Sequence, residues 1–332
     1  MADLTIEFPS TEDEERARAF TVHLNYVSSL ASFLLDRYGP EPRLVQNLLA
    51  AQRCLPGFRR VQARRLLQGG AIGRFLRISW ASELQLRLGA AGERTTLRYS
   101  NVWAPVHAYY AMYMSLQSWF AANKMGHLVD DHSSSLRTIS NHISSRAFFP
   151  DPWRVTCDGC PQLGQVVFHG VPTDEDPRRR IEVLARPSPD TFWPRFCKML
   201  ETTRAIRLER NFREWKRRNG RKAMHRWEKQ DVSEDLVPTT VFDFCWRLRI
   251  RSNYRDVTIF FSPSVSDRQH QEFRDSLIAL SNCTCALIES LVVAAGARSL
   301  YEAAAEGFLR DAGAAVGDTL NFLTLRQKAI LN

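Results

Sequence analysis

The sequence predicts a mainly α-helical protein, and three observations support this fold class. Apolar residues recur three and four positions apart through most of the 332-residue chain, which is the spacing of amphipathic helices. Residues 97–125 are apolar on most sides, as in a helix at the centre of a bundle. The composition, 24% charged and 44% hydrophobic, is that of a globular protein and excludes wholesale disorder.

The ends of the predicted helices are set by glycine and proline. The first helix ends at Gly39, and the longest C-terminal one stops at Gly296. Pro105 either kinks the apolar helix or marks its true start. Residues 72–88 suit a strand pair or a helix, and the pattern favours the helix. The predicted helices cover residues 11–38, 43–52, 58–67, 72–88, 97–125, 133–145, 195–219, 241–259, 266–296 and 300–331.

Residues 150–194 have a different amino-acid composition from the predicted helices. Prolines, glycines and short apolar runs predict a loop-rich segment, with a β-hairpin near residues 165–168. A strongly basic helix follows. Residues 195–229 carry a net charge of +9, and the rest of the chain is balanced. This local excess predicts an anionic partner, which could be nucleic acid, a phosphorylated ligand or an acidic protein.

The remaining composition indicates a cytoplasmic protein without a membrane span. The N-terminus lacks the basic head and apolar run of a secretory signal. The longest apolar stretch, residues 283–295, is too short for a bilayer and contains Glu289. Seven cysteines, an odd number in a long chain, do not indicate a disulfide framework. Glycine-rich phosphate loops, dinucleotide fingerprints and serine-hydrolase elbows are absent from the sequence.

Two separated segments resemble the HEPN domains of bacteria and archaea. The first runs from His107 to Phe120, with the sequence HAYYAMYMSLQSWF, and is followed by Asp131-His132 at the start of another helix. The second, RIRSNYRD, begins at Arg249 and precedes a long helix. The resemblance covers residues 97–145 and 240–295. It implies an antiparallel HEPN-like four-helix bundle that is interrupted by an insertion.

The resemblance divides the chain into four parts. Residues 1–95 form an N-terminal helical region, and residues 96–148 form the first part of the bundle. Residues 149–239 form the loop-rich insertion with the basic helix. Residues 240–332 form the second part of the bundle and the C-terminal helix. Because HEPN bundles often dimerise, the resemblance also implies a homodimer.

Many HEPN proteins are metal-independent ribonucleases in which four to six residues separate an arginine from a following histidine. Histidine can move the proton of the ribose 2′-hydroxyl, and arginine can hold the scissile phosphate. Arg137 with His142, and Arg218 with His225, have this spacing. The same spacing also precedes His23, so position rather than spacing selects the two candidate pairs.

Nucleic-acid binding is predicted for the basic helix and for the second bundle segment. Arginine with nearby tryptophan suits phosphate contact and base stacking. In the second segment the arginines either face phosphate, with Tyr254 on a base, or pair with Asp256 while Tyr254 fills the bundle. The predicted binding residues are Arg207, Arg210, Arg213, Arg217, Arg221, Lys222, Arg251, Tyr254 and Arg255.

No cofactor is predicted, although two short patterns contain metal-ligating residue types. Cys157, Cys160 and His169 offer three of the four ligands that structural zinc requires. The alternative is a pair of thiols in a turn. The segment 127–132, with two histidines and two aspartates, is either half a metal site or a polar connection between helices.

The sequence therefore predicts a protein that engages RNA or another nucleic acid. It could be a metal-independent ribonuclease of a bacterial defence or toxin–antitoxin system, a setting that only the resemblance implies. Two alternatives stay open. One is a non-catalytic adaptor or dimerisation protein whose basic insertion docks a partner protein, and the other is a zinc-stabilised insertion that recognises nucleic acid without cutting it.

Overall fold

The computed structural model describes residues 11–61, 69–89, 94–123, 131–145, 147–255, 257–262 and 264–332. The structure is 76% helix and 4% strand, so the predicted fold class is confirmed. The helices are α1 (Thr11–Tyr38), α2 (Arg43–Arg53), α3 (Pro56–Arg59), α4 (Gly69–Leu88), α5 (Arg94–Ser100), α6 (Ala104–Asn123), α7 (His132–Ser145), α8 (Phe192–Arg218), α9 (Arg226–Glu234), α10 (Val241–Ile250), α11 (Asp267–Val292), α12 (Arg298–Val316) and α13 (Asn321–Leu331). The strands are β1 (Thr156–Cys160) and β2 (Gln165–His169), which pair antiparallel as a hairpin.

Three predicted helices are shorter than the apolar pattern suggested. Pro105 lies in the first turn of α6, so it marks the true start of that helix. The helix predicted over 241–259 was too long, because α10 ends at Ile250 and continues as a π-turn and a 3-10 turn. The helix predicted over 300–331 is divided near Gly317, whose φ of 50° is outside the helical range. Apolar spacing persists through each break, so the spacing alone could not reveal it.

Helix α6 lies at the centre of the bundle. It packs along α4 and α11, while α10 contacts it and α1 packs on α11. One hydrophobic cluster extends from Phe20 near the N-terminus to Ile330 near the C-terminus. The two segments that carry the HEPN resemblance are therefore neighbours in the fold. The N-terminal helices α1 and α4 share their core, and the four-part division of the chain stays a prediction.

A short backbone bridge ties the two ends of the insertion together. The N–H of Cys157 donates to the carbonyl of Thr239 at 2.9 Å, and the N–H of Thr239 donates back at 2.9 Å. Residues that exchange both hydrogen bonds have Cα atoms about 5.5 Å apart. The insertion thus leaves and re-enters the bundle at one place, and its hairpin packs against α8 and α9.

A buried ionic network fixes the last helix to the bundle. Arg326 of α13 has no exposed surface, and its guanidinium pairs with Glu83 of α4 and with Glu289 of α11. It donates a further hydrogen bond from Nε to Asn282 Oδ1 at 3.1 Å. Both carboxylates are fully buried. Arg87 also pairs with Glu83, at 2.8 Å, so two guanidiniums balance the two carboxylates and Arg326 links three helices.

The structure bears on two remaining features of the sequence. One helical stretch, Asp267–Gly313, is long and apolar enough to cross a membrane by length and composition. However, 78% of its most apolar window is buried inside the protein, as in the core helix of a soluble protein. All seven cysteines are free; Cys54 is exposed and the other six are buried.

Candidate functional site

The basic helix α8 has a buried first half and a polar second half. Phe192, Phe196 and Leu200 join the main core, where Phe192 stacks on Phe33 of α1 at 3.9 Å between ring centres. Farther along, Leu208 and Phe212 form a small second cluster with the hairpin. The helix is therefore held on one side over its whole length. Its exposed arginines are presented on the other side.

Two arginines of α8 are buried and serve the fold. Arg204 is 1% exposed, and its guanidinium donates to the backbone carbonyls of Ser233 at 3.0 Å and Val237 at 3.2 Å, and also to Gly159. Arg195 is equally buried. Burial lowers the pKa of both guanidiniums below their ordinary value. Both sit in the basic segment but are unavailable to a ligand.

The exposed arginines of α8 line a groove. The groove has two adjoining openings, of about 330 Å³ between α8 and α10 and about 370 Å³ between α7 and α8. Arg207, Arg210, Asp243 and Trp246 line both openings, so the two are continuous. We call this feature the arginine groove. Its six arginines are Arg137 of α7, Arg207, Arg210 and Arg213 of α8, Arg247 of α10, and Arg251.

Arg207 has a deeply buried acidic partner. Its Nη1 lies 3.0 Å from Asp243 Oδ1 and donates to Thr239 Oγ1 at 2.9 Å. The other oxygen of Asp243 accepts from the backbone N–H of Thr240 at 2.8 Å, which caps α10. Burial raises the pKa of Asp243, while Arg207 and the hydrogen bonds from Thr240 act in the opposite direction. The pair fixes α8 against α10 and forms the floor of the groove.

Four carboxylates accompany the six arginines, so the groove has a net positive charge. Two of them already have other partners. Asp131 accepts from the backbone N–H groups of Ser133 and Ser134, and these hydrogen bonds lower its pKa. Glu214 pairs with Arg218 on its own helix. An anion entering the groove therefore meets more positive charge than negative.

Three groove residues were missed by the sequence-based prediction: Asp243, Trp246 and Arg247. Trp246 is half-buried and lines both openings, and its indole Nε1 has no hydrogen-bond partner among the described residues. Arg247 donates from Nη1 to Thr203 Oγ1 of α8 at 3.1 Å. The three lie three and four residues apart with Ile250 on one face of α10. Charged and aromatic residues occur together with an apolar one on this face of an otherwise apolar helix, and this pattern could have identified the three residues from the sequence.

The members of both predicted Arg–His pairs have different partners in the structure. Arg137 lines the groove, but a five-residue separation turns His142 about 140° away on α7. His142 instead packs against Trp119, with ring centres 5.5 Å apart. Arg218 pairs with Glu214, whereas His225 precedes α9 and stacks on Trp227. Within one chain, these contacts favour packing and surface roles for the two histidines.

The other predicted binding residues are distributed unevenly. Arg207, Arg210, Arg213 and Arg251 line the groove. Arg221 pairs with the buried Glu228 and lies over Trp215, so it closes the turn between α8 and α9. Two further predicted binding residues, Arg217 and Lys222, are exposed but line neither opening. The side chains of Tyr254 and Arg255, and all of Asp256, lie outside the described residues.

A second polar cluster joins the two segments that resemble HEPN domains. His132 opens α7, and its Nδ1 lies 3.0 Å from the Tyr109 hydroxyl of α6. The ring of Tyr113 is 4.4 Å from that of His132. Arg249 of α10 donates to the hydroxyl of Tyr110 at 3.0 Å. Partial burial and the nearby Arg249 lower the pKa of His132, so its imidazole is neutral at pH 7.

The predicted zinc ligands do not converge. Cys157 points into the main core and Cys160 into the second cluster, because they are three residues apart on a strand and face opposite sides. His169 pairs with Asp158 at 3.2 Å. Among the residues that the structure describes, no three His, Cys, Asp or Glu side chains are grouped as a metal site would require. Of the segment 127–132, only Asp131 and His132 are described, and Asp131 caps α7.

The fold and the groove define a class: a mainly α-helical protein with an arginine-lined groove between three helices. No protein-family model, curated protein or solved structure matches this chain.

Proposed function

We propose that this protein binds RNA, or another nucleic acid, along the arginine groove of a HEPN-like bundle. The observation that carries the proposal is the convergence of six arginines from three neighbouring structural segments around the half-buried Trp246. Guanidinium groups match phosphate geometry with paired hydrogen bonds. An indole beside them offers a surface on which a base can stack. The resemblance of α6 and α10 to HEPN domains supports the same function.

RNA binding across a salt series tests this proposal. The probe is a fluorescent single-stranded RNA, and the variant combines Arg137→Ala, Arg210→Ala and Arg213→Ala. Each lost phosphate contact should lower the slope of log affinity against log salt by about one. The matched control combines Arg59→Ala, Arg60→Ala and Arg310→Ala, three exposed arginines outside the groove. An equal slope in both triple variants would contradict the groove as the binding site.

Failure to bind RNA even at low salt would contradict the nucleic-acid function altogether. The adaptor alternative would then become the better explanation, because the same positive groove suits an acidic protein surface. Measuring the mass of the protein in solution would test the predicted homodimer in the same samples.

Metal-independent cleavage of the bound RNA is a second candidate function, and one observation favours it. His132 lies between Asp131 and Ser133, two residues that line the groove. Its neutral imidazole could accept the proton of a ribose 2′-hydroxyl, with Tyr109 orienting the ring. In EDTA, His132→Ala should abolish cleavage while RNA affinity changes by less than about twofold. Loss of cleavage in His142→Ala or His225→Ala, with His132→Ala still active, would instead assign catalysis to the Arg137–His142 or the Arg218–His225 pair.

A further inference from the structure

A separate pocket lies on a different side of α8 from the arginine groove. Lys198 and Glu201 face this pocket, whereas Ile206 and Arg210 face the groove, about a third of a helical turn away. Its volume of about 450 Å³ is within the range of small-molecule sites. Apolar side chains form its floor: Val166, Phe168, Ile181 and Val183. Cationic side chains form its rim: Arg178, Arg179, Arg180 and Lys198.

The loop over this pocket is fixed by side-chain hydrogen bonds to its backbone or from its side chains near both ends. Near its start, the guanidinium of Arg178 donates to the carbonyl of Val166 on β2. Near its end, Arg195 Nη1 and Asn25 Nδ2 both donate to the carbonyl of Val183, at 2.9 Å each. Arg195 is 1% exposed and Asn25 is 5% exposed. Burying a guanidinium is costly, and here its hydrogen bonds serve to hold this loop.

Two arginines between these anchors face the opening with their charge available. In the part of the chain that the structure describes, the guanidiniums of Arg179 and Arg180 have no ion pair or hydrogen bond. Glu201 is the one carboxylate that lines the pocket, and it pairs with Lys198 at 3.0 Å. The pocket lining therefore carries an excess of positive charge. Acidic residues of the same loop that do not line the pocket are Asp174, Glu175, Asp176 and Glu182.

We propose that this pocket binds a nucleoside phosphate. The available guanidiniums of Arg179 and Arg180 suit the phosphate group. The floor, which includes the ring of Phe168, suits a flat and largely apolar base. Inorganic phosphate would use the rim but leave the floor empty. The proposal goes beyond RNA binding, because the pocket and the arginine groove share no lining residue.

Calorimetric titration of the full-length protein tests the pocket. The probes are the four ribonucleoside 5′-monophosphates, the corresponding nucleosides and inorganic phosphate. At least one monophosphate should bind with an affinity about tenfold or more above its nucleoside and above phosphate. The double variant Arg179→Ala/Arg180→Ala should lose about tenfold in affinity, and the equally exposed pair Arg59→Ala/Arg60→Ala should lose none. Absence of binding, binding equal to that of phosphate, or binding unchanged in the first double variant would each overturn the proposal.

The same variants separate this site from the groove. Arg179→Ala/Arg180→Ala should keep the RNA affinity and salt slope of the wild type, whereas the triple groove variant should keep nucleotide binding. Competition between a free monophosphate and a short RNA identifies the source of the ligand. If only a 5′-phosphorylated RNA displaces the monophosphate, and its 5′-hydroxyl form does not, the pocket receives the end of an RNA chain. If neither displaces it, the ligand is a free nucleotide.

Discussion

The two halves of α8 use the same residue type for opposite purposes. In the first half, Arg195 and Arg204 are 1% exposed and donate to backbone carbonyls of the insertion. In the second half, Arg210 and Arg213 are exposed and line an open groove. The guanidiniums of the first pair donate to fixed backbone carbonyls in place of water, whereas those of the second pair stay hydrated until a ligand binds. Net charge along a segment therefore overstates the charge that a partner can reach.

The strongest test of the interior role is Arg326, outside α8. Arg326→Met would leave Glu83 and Glu289 buried without their shared partner, and should lower the free energy of unfolding by about 4 kcal/mol. Urea unfolding followed by circular dichroism measures the loss. Adding Glu289→Gln should restore part of the stability, because the carboxylate that lost its cation is then neutral, whereas Glu83 keeps its pair with Arg87. A loss below about 1 kcal/mol in the single variant would show that this guanidinium is dispensable.

Arg204 tests the same role within α8. Arg204→Ala would leave the carbonyls at the end of α9 and on β1 without their donor, and should cost about 3 kcal/mol of stability. The measurement is again urea unfolding, with Arg217→Ala as the control on the same helix. Equal stability of the two variants would remove the distinction between the halves of α8.

A pH test is possible at Asp243, which is buried like the first pair of arginines but lines the groove like the second pair. Because burial raises its pKa, Asp243 gains a proton at a higher pH than an ordinary aspartate. Protonation leaves the charge of Arg207 without its counter-ion, so RNA affinity should rise about threefold as the pH falls below 7. Anisotropy titrations at several pH values measure the change. Asp243→Asn keeps an oxygen to cap α10 and should remove most of this pH dependence; an unaltered profile would contradict the assignment.

The smallest expected effect concerns the exposed half of α8. The double variant Arg210→Ala/Arg213→Ala should change the free energy of unfolding by less than about 0.5 kcal/mol, since neither side chain is buried. Its salt slope for RNA should nevertheless fall by about two. A stability loss comparable to that of Arg204→Ala would mean that these arginines also support the fold.

The sequence predicted most of the fold because helix periodicity is a local signal. The basic helix, the hairpin and the central position of α6 follow from spacing and composition within short windows. The end of α10 at Ile250 could not be predicted, since the apolar pattern continues beyond it. Charge alone also selected Arg207, Arg210 and Arg213, which line the groove in the structure. It missed Trp246, which enters the groove only because the chain after the insertion returns beside α8.

The distribution of the cysteines has a practical consequence for chemical labelling. Burial raises the pKa of Cys157, Cys245 and Cys285 to about 12, so these thiols remain protonated and unreactive at neutral pH. Cys54, just after α2, is the exposed thiol. A maleimide dye or nitroxide should therefore attach at one position per chain without any prior mutagenesis. Cys54 lines neither opening of the groove, so a probe attached there would report on RNA binding without occupying the proposed binding site.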